Sequence, residues 1–356
     1  MGYKHITALD GLRGIAALIV VISHYSNETG LFGGVLGWGG GQTGVMLFFV
    51  LAGFLMTHLH IGERFTARNV GSYAIKRIAR VYPFFVLVAA LPALLIYLKF
   101  PGVVAMGDIN TIPIYLRQIF LLERGSNVFW TIQIEILFYA CFLVIWAAHR
   151  GIARPAVTLV MILSCLVGLA FHGFKFSISF FGYLHYFLVG VASSLILQIS
   201  GASAYRSQIL SGMGVVLLIS LPLTFPKVCL LLTGKEIDSW TNLVVLAQIS
   251  FLFNFVLRDR RFLQAALSNR PLVWVGRISY SIYLLHYFIL EALVSWTVPR
   301  DHYALNFVVF FVSVLGVSAL SHKYLELPIQ KFTLKLPRMI SRVFSSFIAN
   351  IKTRPV

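Results

Sequence analysis

An arginine and a histidine, Arg13 and His24, stand eleven residues apart in the first apolar segment, RGIAALIVVISH. At about 100° per helical residue, eleven steps return both side chains to within about 20° of one face. A rise of about 1.5 Å per residue separates them by about 16 Å, half the hydrocarbon thickness of a bilayer. Ionisable residues inside apolar segments are costly and line polar paths or sites. The spacing predicts one groove, with a cation near one membrane face and an imidazole deeper in. Imidazole titrates near neutral pH, as a general base should.

Further groups of this kind follow. FWTIQIEILFYACF carries Glu135, with Tyr139 at i+4 on the same face and Trp130 one turn and a half earlier. A buried carboxylate needs a partner. A depth of about 10 Å from the outer face places Glu135 level with His24, where it can orient the imidazole and stabilise its protonated form. YAIKRIARVYPF places Lys76, Arg77 and Arg80 before a segment that Pro83 is expected to bend. Arg77 and Arg80 are i, i+3 neighbours, so their guanidinium groups can converge on one phosphate. GRISYSIYLLHYF adds a polar stripe of Ser279, Tyr280, Ser281, Tyr283 and His286. Gly44, Ala52 and Gly53 of GVMLFFVLAGFLM permit close approach of a helix or a ligand.

Each group also has a plain structural reading. Arg13 and the Lys76–Arg80 cluster can be interfacial anchors, and His24 a hydrogen-bonded helix end. Glu135 can pair with an arginine or tyrosine, and the stripe can join helices. Glu326, beside Pro328 in YLELPIQKF, reads as a structural terminus.

The elements that must position these residues are membrane helices. Of 356 residues, 58% are apolar and 12% charged, and mean hydropathy is +0.85. That composition excludes a soluble domain of this size. Apolar runs of spanning length fall near 11–26, 43–60, 78–98, 128–148, 155–171, 177–198, 208–225, 240–257, 278–297 and 304–324. The net charge of +17 does not indicate nucleic acid, because the basic residues gather in alternate loops. One set of segments holds 22 of the 29 Lys and Arg, and the other holds 7. The ten runs predict an all-α fold of about ten spans, and the positive-inside rule predicts an even number with both termini cytoplasmic. The start, MGYKHITALDGLRG, lacks a cleavage-type ending, so the first segment is expected to be retained.

Residues 27–42 are glycine-rich and without Lys or Arg, which predicts a flexible outer loop. The membrane unit is expected over 1–333. In 334–356 an apolar stripe (Leu336, Ile340, Val343, Phe347) beside Arg338, Arg342 and Lys352 predicts an interfacial amphipathic tail on anionic lipid. Cys141, Cys165 and Cys229 are scattered, so neither a disulfide framework nor a metal site is expected. No internal repeat is evident, which counts against transporter folds built from inverted halves.

Together the motifs resemble the membrane-bound acyltransferase 3 family, from LDGLRGIAALIVVISH to YLELPIQKF. Arg13 and His24 match its Arg/Lys–ten residues–His signature. FFVLAGF matches a family motif with Ala52 in place of Ser, which puts any hydroxyl role there in doubt. RIARVYP, the Trp130–Glu135–Tyr139 spacing and SYSIYLLH match the others.

The resemblance implies a multi-pass protein of the bacterial inner membrane. It would move an acyl group, most often acetyl, from cytoplasmic acyl-CoA to a hydroxyl of a glycan or lipid-linked sugar. At this length, the extracytoplasmic domain that some members carry is not expected. On this view Arg13, Lys76, Arg77 and Arg80 hold acyl-CoA, and His24 with Glu135 does the chemistry. Trp130, Tyr139, Tyr283 and His286 line the groove. Membrane lipids are the surrounding partners, and pairing with a second copy as a homodimer stays open. A glycan or lipid flippase and an acyltransferase acting on a small molecule such as an antibiotic are the competing readings. Direct transfer and an acyl-histidine route both remain open.

Overall fold

The computed structural model describes residues 5–98, 112–120, 128–152, 154–171, 173, 180–201, 208–259, 261–295 and 303–337. The residues of the expected tail beyond 337 lie outside this set. Helices α1 (Thr7–Thr29), α2 (Gly40–His60), α3 (Ala67–Tyr97), α4 (Ile112–Ile119) and α5 (Trp130–Ile152) come first. They are followed by α6 (Pro155–Phe171), α7 (Phe181–Ser200), α8 (Gln208–Ile219), α9 (Pro226–Thr233) and α10 (Leu243–Arg258). The last are α11 (Phe262–Leu267), α12 (Arg270–Arg277), α13 (Ser279–Ser295) and α14 (Tyr303–Ser321). A π-helical turn, His322–Glu326, carries α14 on to Pro337.

The protein is all-helical and multi-pass. Helices α1, α2, α5, α7 and α14 with its extension are each long and apolar enough to cross a membrane. Helices α12 and α13 meet at a 74° bend and make a sixth such segment if taken together. Helices α6, α8 and α10 are apolar but shorter. The run 208–225 is not one helix. Pro222 and Pro226 each open a new turn, so α8 gives way to a 3-10 turn (Leu221–Thr224) and then to α9. The run 78–98 belongs to a longer α3 that contains both Pro83 and Pro92.

Local signals set several boundaries. The Asn242 side chain accepts from Val244 N at 2.9 Å and Val245 N at 3.3 Å at the start of α10. Asn269 does the same for Leu272 N at 2.9 Å before α12. Helix α1 ends at Gly30, which has φ 71°.

The glycine-rich segment after α1 is folded onto the bundle and is not the flexible loop expected. Ser26 Oγ donates to Leu31 O at 2.9 Å and Gly41 N donates to Ser23 Oγ at 2.7 Å. Trp38 N donates to Asn27, and Lys227 Nζ reaches Gly33 O at 3.0 Å. Side chains of α1, not glycine alone, shape the turn. Phe32 (φ 52°) and Trp38 (φ 43°) sit in the left-handed region that side chains resist.

Helices α1 and α2 occupy the centre. Helix α1 packs on α2, α11, α12 and α13, and α2 also packs on α7. Small residues permit these approaches, since a Cβ would strike a facing backbone carbonyl. At Gly53 it would meet Phe187 O, and at Gly190 it would meet Val50 O. At Gly11 it would meet Leu267 O, and at Gly276 it would meet Asp10 O. Gly44 likewise faces Ala16 O. Thus Gly44 and Gly53 serve helix packing. On the outside, α6 and α14 expose Val160, Met161, Val312 and Leu320, an apolar surface suited to lipid.

Gly53→Val is expected to cost at least about 3 kcal/mol, because overpacking here meets backbone. Gly168→Ala, on α6 with open space around it, is expected to be neutral or to stabilise by up to about 1 kcal/mol. Thermal unfolding of both variants in detergent checks the contrast.

Candidate functional site: two chambers joined at Tyr283

Of the cavities along α1, two share a wall. The first, of about 290 Å³, is lined by Arg13, Arg77, Arg80, Glu135, Tyr139 and Tyr283, with Asp10 and Ala52 also in its wall. The second, of about 270 Å³, is lined by Ser23, His24, Asn27, Gln42, Trp130 and Tyr283, with Tyr183 and Trp240 opposite. Val45 and Tyr283 stand in the walls of both.

The wall of the first chamber brings three guanidinium groups from α1 and α3 together with two carboxylates, Asp10 from α1 and Glu135 from α5. Cross-helix hydrogen bonds position them. Tyr280 OH donates to Val81 O at 2.7 Å, tying α13 to α3 beside Arg80. Tyr73 OH donates to Tyr139 O at 3.0 Å, tying α3 to α5. Tyr139 OH donates to Glu135. Arg77 Nε is buried and has no hydrogen-bond partner among the described residues. Asp10 pairs with His5 at 3.1 Å. The chamber therefore holds an excess of fixed positive charge and a buried donor with nothing to donate to, which suits an anionic ligand.

In the second chamber, the His24 ring lies 5.2 Å from that of His286 and 5.5 Å from that of Tyr287, both edge-on. His286 Nδ1 lies 3.0 Å from Ile282 O. A carbonyl only accepts, so Nδ1 carries the proton and the neutral ring keeps its lone pair on Nε2. That nitrogen is buried and without a hydrogen-bond partner among the described residues. At the shared wall, Tyr283 OH donates to Val128 O at 3.2 Å and accepts from Thr131 Oγ1 at 2.9 Å.

The structure thus distributes the sequence candidates. Arg13, Arg77, Arg80, Glu135 and Tyr139 come together in one chamber, and His24 and Trp130 in the other, with Tyr283 between. Glu135 is bonded to Tyr139 within the arginine chamber and not to His24. The group packed against His24 is His286, which lines neither chamber. Lys76 is exposed and lines neither chamber. One step along a helix turns it about 100° from Arg77. Glu326 accepts from Ser281 Oγ at 2.6 Å and pairs with His322 at 2.9 Å, joining α13 to the end of α14. The three cysteines are free thiols. Among the described residues, no group of three or more His, Cys, Asp and Glu could hold a metal.

Gln42, Asn27, Tyr183 and Trp240 were not singled out by the sequence. They sit at helix ends and in loops, where aromatic and amide residues resemble an ordinary membrane-interface belt.

A sequence profile for the acyltransferase domain matches residues 6–323. The chain belongs to the acyltransferase 3 family. Among curated relatives it is similar to the O-acetyltransferase OatA of Staphylococcus aureus strain MRSA252, with 24% identity over 386 residues. That alignment covers 98% of this chain and 61% of the relative. OatA of strain NCTC 8325 / PS 47 is 25% identical over 366 residues, covering 92% of this chain and 58% of the relative. The chain therefore spans about three-fifths of the length of these relatives. No solved structure matches it. In this acyltransferase 3 chain, Ala52, which stands where the motif has serine, faces the arginine chamber with a methyl group and no hydroxyl.

Tyr139→Phe removes the donor to Glu135 while keeping the ring. The expected result is a loss of about 1–3 kcal/mol in unfolding free energy with helix content unchanged, read by thermal denaturation in detergent. A loss below about 0.5 kcal/mol would show that Glu135 does not depend on this bond.

Proposed function

We propose that the protein is a multi-pass inner-membrane O-acyltransferase. It transfers an acetyl group from cytoplasmic acyl-CoA to a hydroxyl of a glycan or lipid-linked sugar on the far side of the bilayer. The observation that carries this reading is the pair of chambers meeting at Tyr283, one cationic and one holding a histidine. The O-acetyltransferase names of the relatives support the reaction class. The split of basic residues supports an even number of spans, cytoplasmic termini and an arginine chamber that opens inward.

Coenzyme A carries several phosphates on a long flexible arm. Arg77 and Arg80 hold those phosphates with Arg13, and the arm directs the thioester along α1 to the Val45–Tyr283 wall. Glu135, anchored by Tyr139, keeps the three guanidinium groups apart and oriented. Lys76 acts from outside the chamber, as part of the cationic approach to it. His24 removes the proton from the acceptor hydroxyl, and the oxygen forms the new bond to the acyl carbon. The C–S bond breaks, and the thiolate takes the proton back from His24. His286 packs edge-on against His24, and a turn of the His24 ring brings one of its N–H groups to the unpartnered Nε2 lone pair, which then fixes the nitrogen that faces the acceptor.

The test uses membranes containing the full chain, radiolabelled acetyl-CoA and host envelope glycans. Wild type is expected to place base-labile label in glycan. His24→Ala should lose about 10²–10⁴-fold in rate while remaining folded. Arg77→Gln should raise the KM for acetyl-CoA by at least about tenfold, as loss of a charge-assisted contact requires. Retained transfer in His24→Ala would overturn the assignment of the base. No label from the folded wild type with any acyl donor, together with glycan or lipid movement across vesicles, would replace the enzyme reading with a flippase.

Val45→Phe narrows the shared wall. It should leave acetyl-CoA binding within about twofold of wild type and reduce transfer by at least about tenfold, since a displacement of about 1 Å at the reacting atoms can cost that much or more. Calorimetric binding and the label assay separate the two effects.

A further inference from the structure

The chamber beside His24 has a chemistry of its own. Its wall combines an aromatic cluster with neutral hydrogen-bonding side chains, and among the described residues no Lys or Arg lines it. Tyr183 lies 4.7 Å from Trp240 and 5.0 Å from Trp130, ring centre to ring centre, and the two indoles are 5.9 Å apart. Gln42 and Asn27 stand nearby. Gln42 Oε1 is buried and has no hydrogen-bond partner among the described residues. A buried acceptor left without a donor is costly unless a ligand supplies one.

The cluster is preorganised. Trp240 sits in the connection between α9 and α10, and its carbonyl lies 3.0 Å from His185 Nε2 on α7. Tyr186 OH donates to Ser239 O at 3.1 Å. Asp238 accepts from Trp240 N at 3.1 Å and from Thr241 Oγ1 at 2.9 Å. Ser239 Oγ donates to Thr224 O at 2.8 Å. The indole is therefore held at the chamber wall by backbone contacts on both sides, without relying on a bound ligand.

We propose that this chamber is a subsite for one neutral pyranose ring, with Trp240 as its stacking platform and Gln42 as acceptor for a ring hydroxyl. This rests on the acyltransferase reading and names the part of the acceptor that the site holds. A pyranose has one face rich in C–H bonds, which complements an aromatic face, and a rim of hydroxyls, which complements amides. A phosphate would find no cation among the described lining residues, so the chamber suits a neutral ligand better than the donor's anionic groups. The volume of about 270 Å³ lies at the low end for small-ligand sites, enough for one ring and not for several. A ring stacked on Trp240 and bonded to Gln42 lies in the same chamber as His24, where a hydroxyl on its free edge meets the base. Trp240 and Gln42 thus choose which hydroxyl is acylated.

The experiment uses the full chain in detergent and a panel of methyl pyranosides, with saturation-transfer NMR reporting binding and calorimetry reporting acetyl-CoA binding separately. Wild type is expected to bind at least one pyranoside, with the strongest transfer to its ring C–H protons. Trp240→Ala and Gln42→Ala should each weaken that binding by about tenfold or more, leaving acetyl-CoA affinity within about twofold. Trp240→Phe, which keeps an aromatic face, should recover most of the sugar binding. Where glycan transfer is active, the same variants should raise the acceptor KM with little change in the donor KM. Absence of binding by every pyranoside to the folded wild type overturns the proposal, as does unchanged sugar binding in both Trp240→Ala and Gln42→Ala. Failure of the acyltransferase reading shows separately, as no label transfer by a wild type that still binds sugar.

Discussion

Positive charge that cannot be given up, placed inside an apolar bundle, is the constraint on which the rest of this molecule turns. Arginine stays protonated at any accessible pH, and Arg13, Arg77 and Arg80 share a chamber with Glu135. Two like charges about 6 Å apart repel by about 3 kcal/mol at an effective dielectric of 20. Two carboxylates, Glu135 and Asp10, do not balance three guanidinium groups. The fold must therefore hold the cluster together by other means and leave it able to accept an anion. Helix α3 is held from two sides, by Tyr280 from α13 and by Tyr73 to α5. Neither bond uses an arginine donor, so the guanidinium groups are positioned without being neutralised.

Helix α1 links this cluster to the second chamber. Its first half is seated by backbone-to-glycine contacts against α11 and α12, which leave little freedom for Arg13 to shift. Its second half is held by the folded segment that follows it, through Ser23, Ser26 and Asn27. The separation of Arg13 from His24 is then a property of the helix itself, about 16 Å along the axis. A pantetheine-like arm suits that length, while a short ligand would reach one chamber and not the other. The loop that sequence composition marks as flexible is, in its contacts, the outer support of the helix that carries the histidine.

Much of this arrangement is legible in residue spacing. The common face of Arg13 and His24 and the i, i+3 pair Arg77 and Arg80 follow from helical period alone. The period also accounts for the exclusion of Lys76. Less legible is Glu135. Treating each span as a cylinder along the membrane normal put it level with His24, but helix α5 advances about 7.5 Å between Trp130 and Glu135. That advance separates the histidine chamber from the arginine chamber. Likewise Pro222 and Pro226 break an apolar run that hydropathy alone reads as continuous. Trp240 and Gln42 were invisible because their meaning depends on tertiary contacts. An indole near a span end is ordinary in a membrane protein, and only the Tyr183–Trp130 cluster around it marks this one.

The pairing of His24 with another histidine has a physical logic of its own. A carboxylate beside His24 would add a buried negative charge to a chamber whose walls are aromatic and amide, and its desolvation would need further donors. A neutral imidazole whose Nδ1 is committed to Ile282 O offers one lone pair and no net charge. It packs edge-on against the His24 ring without holding that ring in its charged form. Glu135 is then free to serve the arginines, where its charge is useful. The shared wall at Tyr283 keeps the two electrostatic environments distinct, one cationic and one neutral, along a single helix. On the proposed reading, a neutral acceptor and an anionic donor are each bound by complementary surroundings and meet at one histidine.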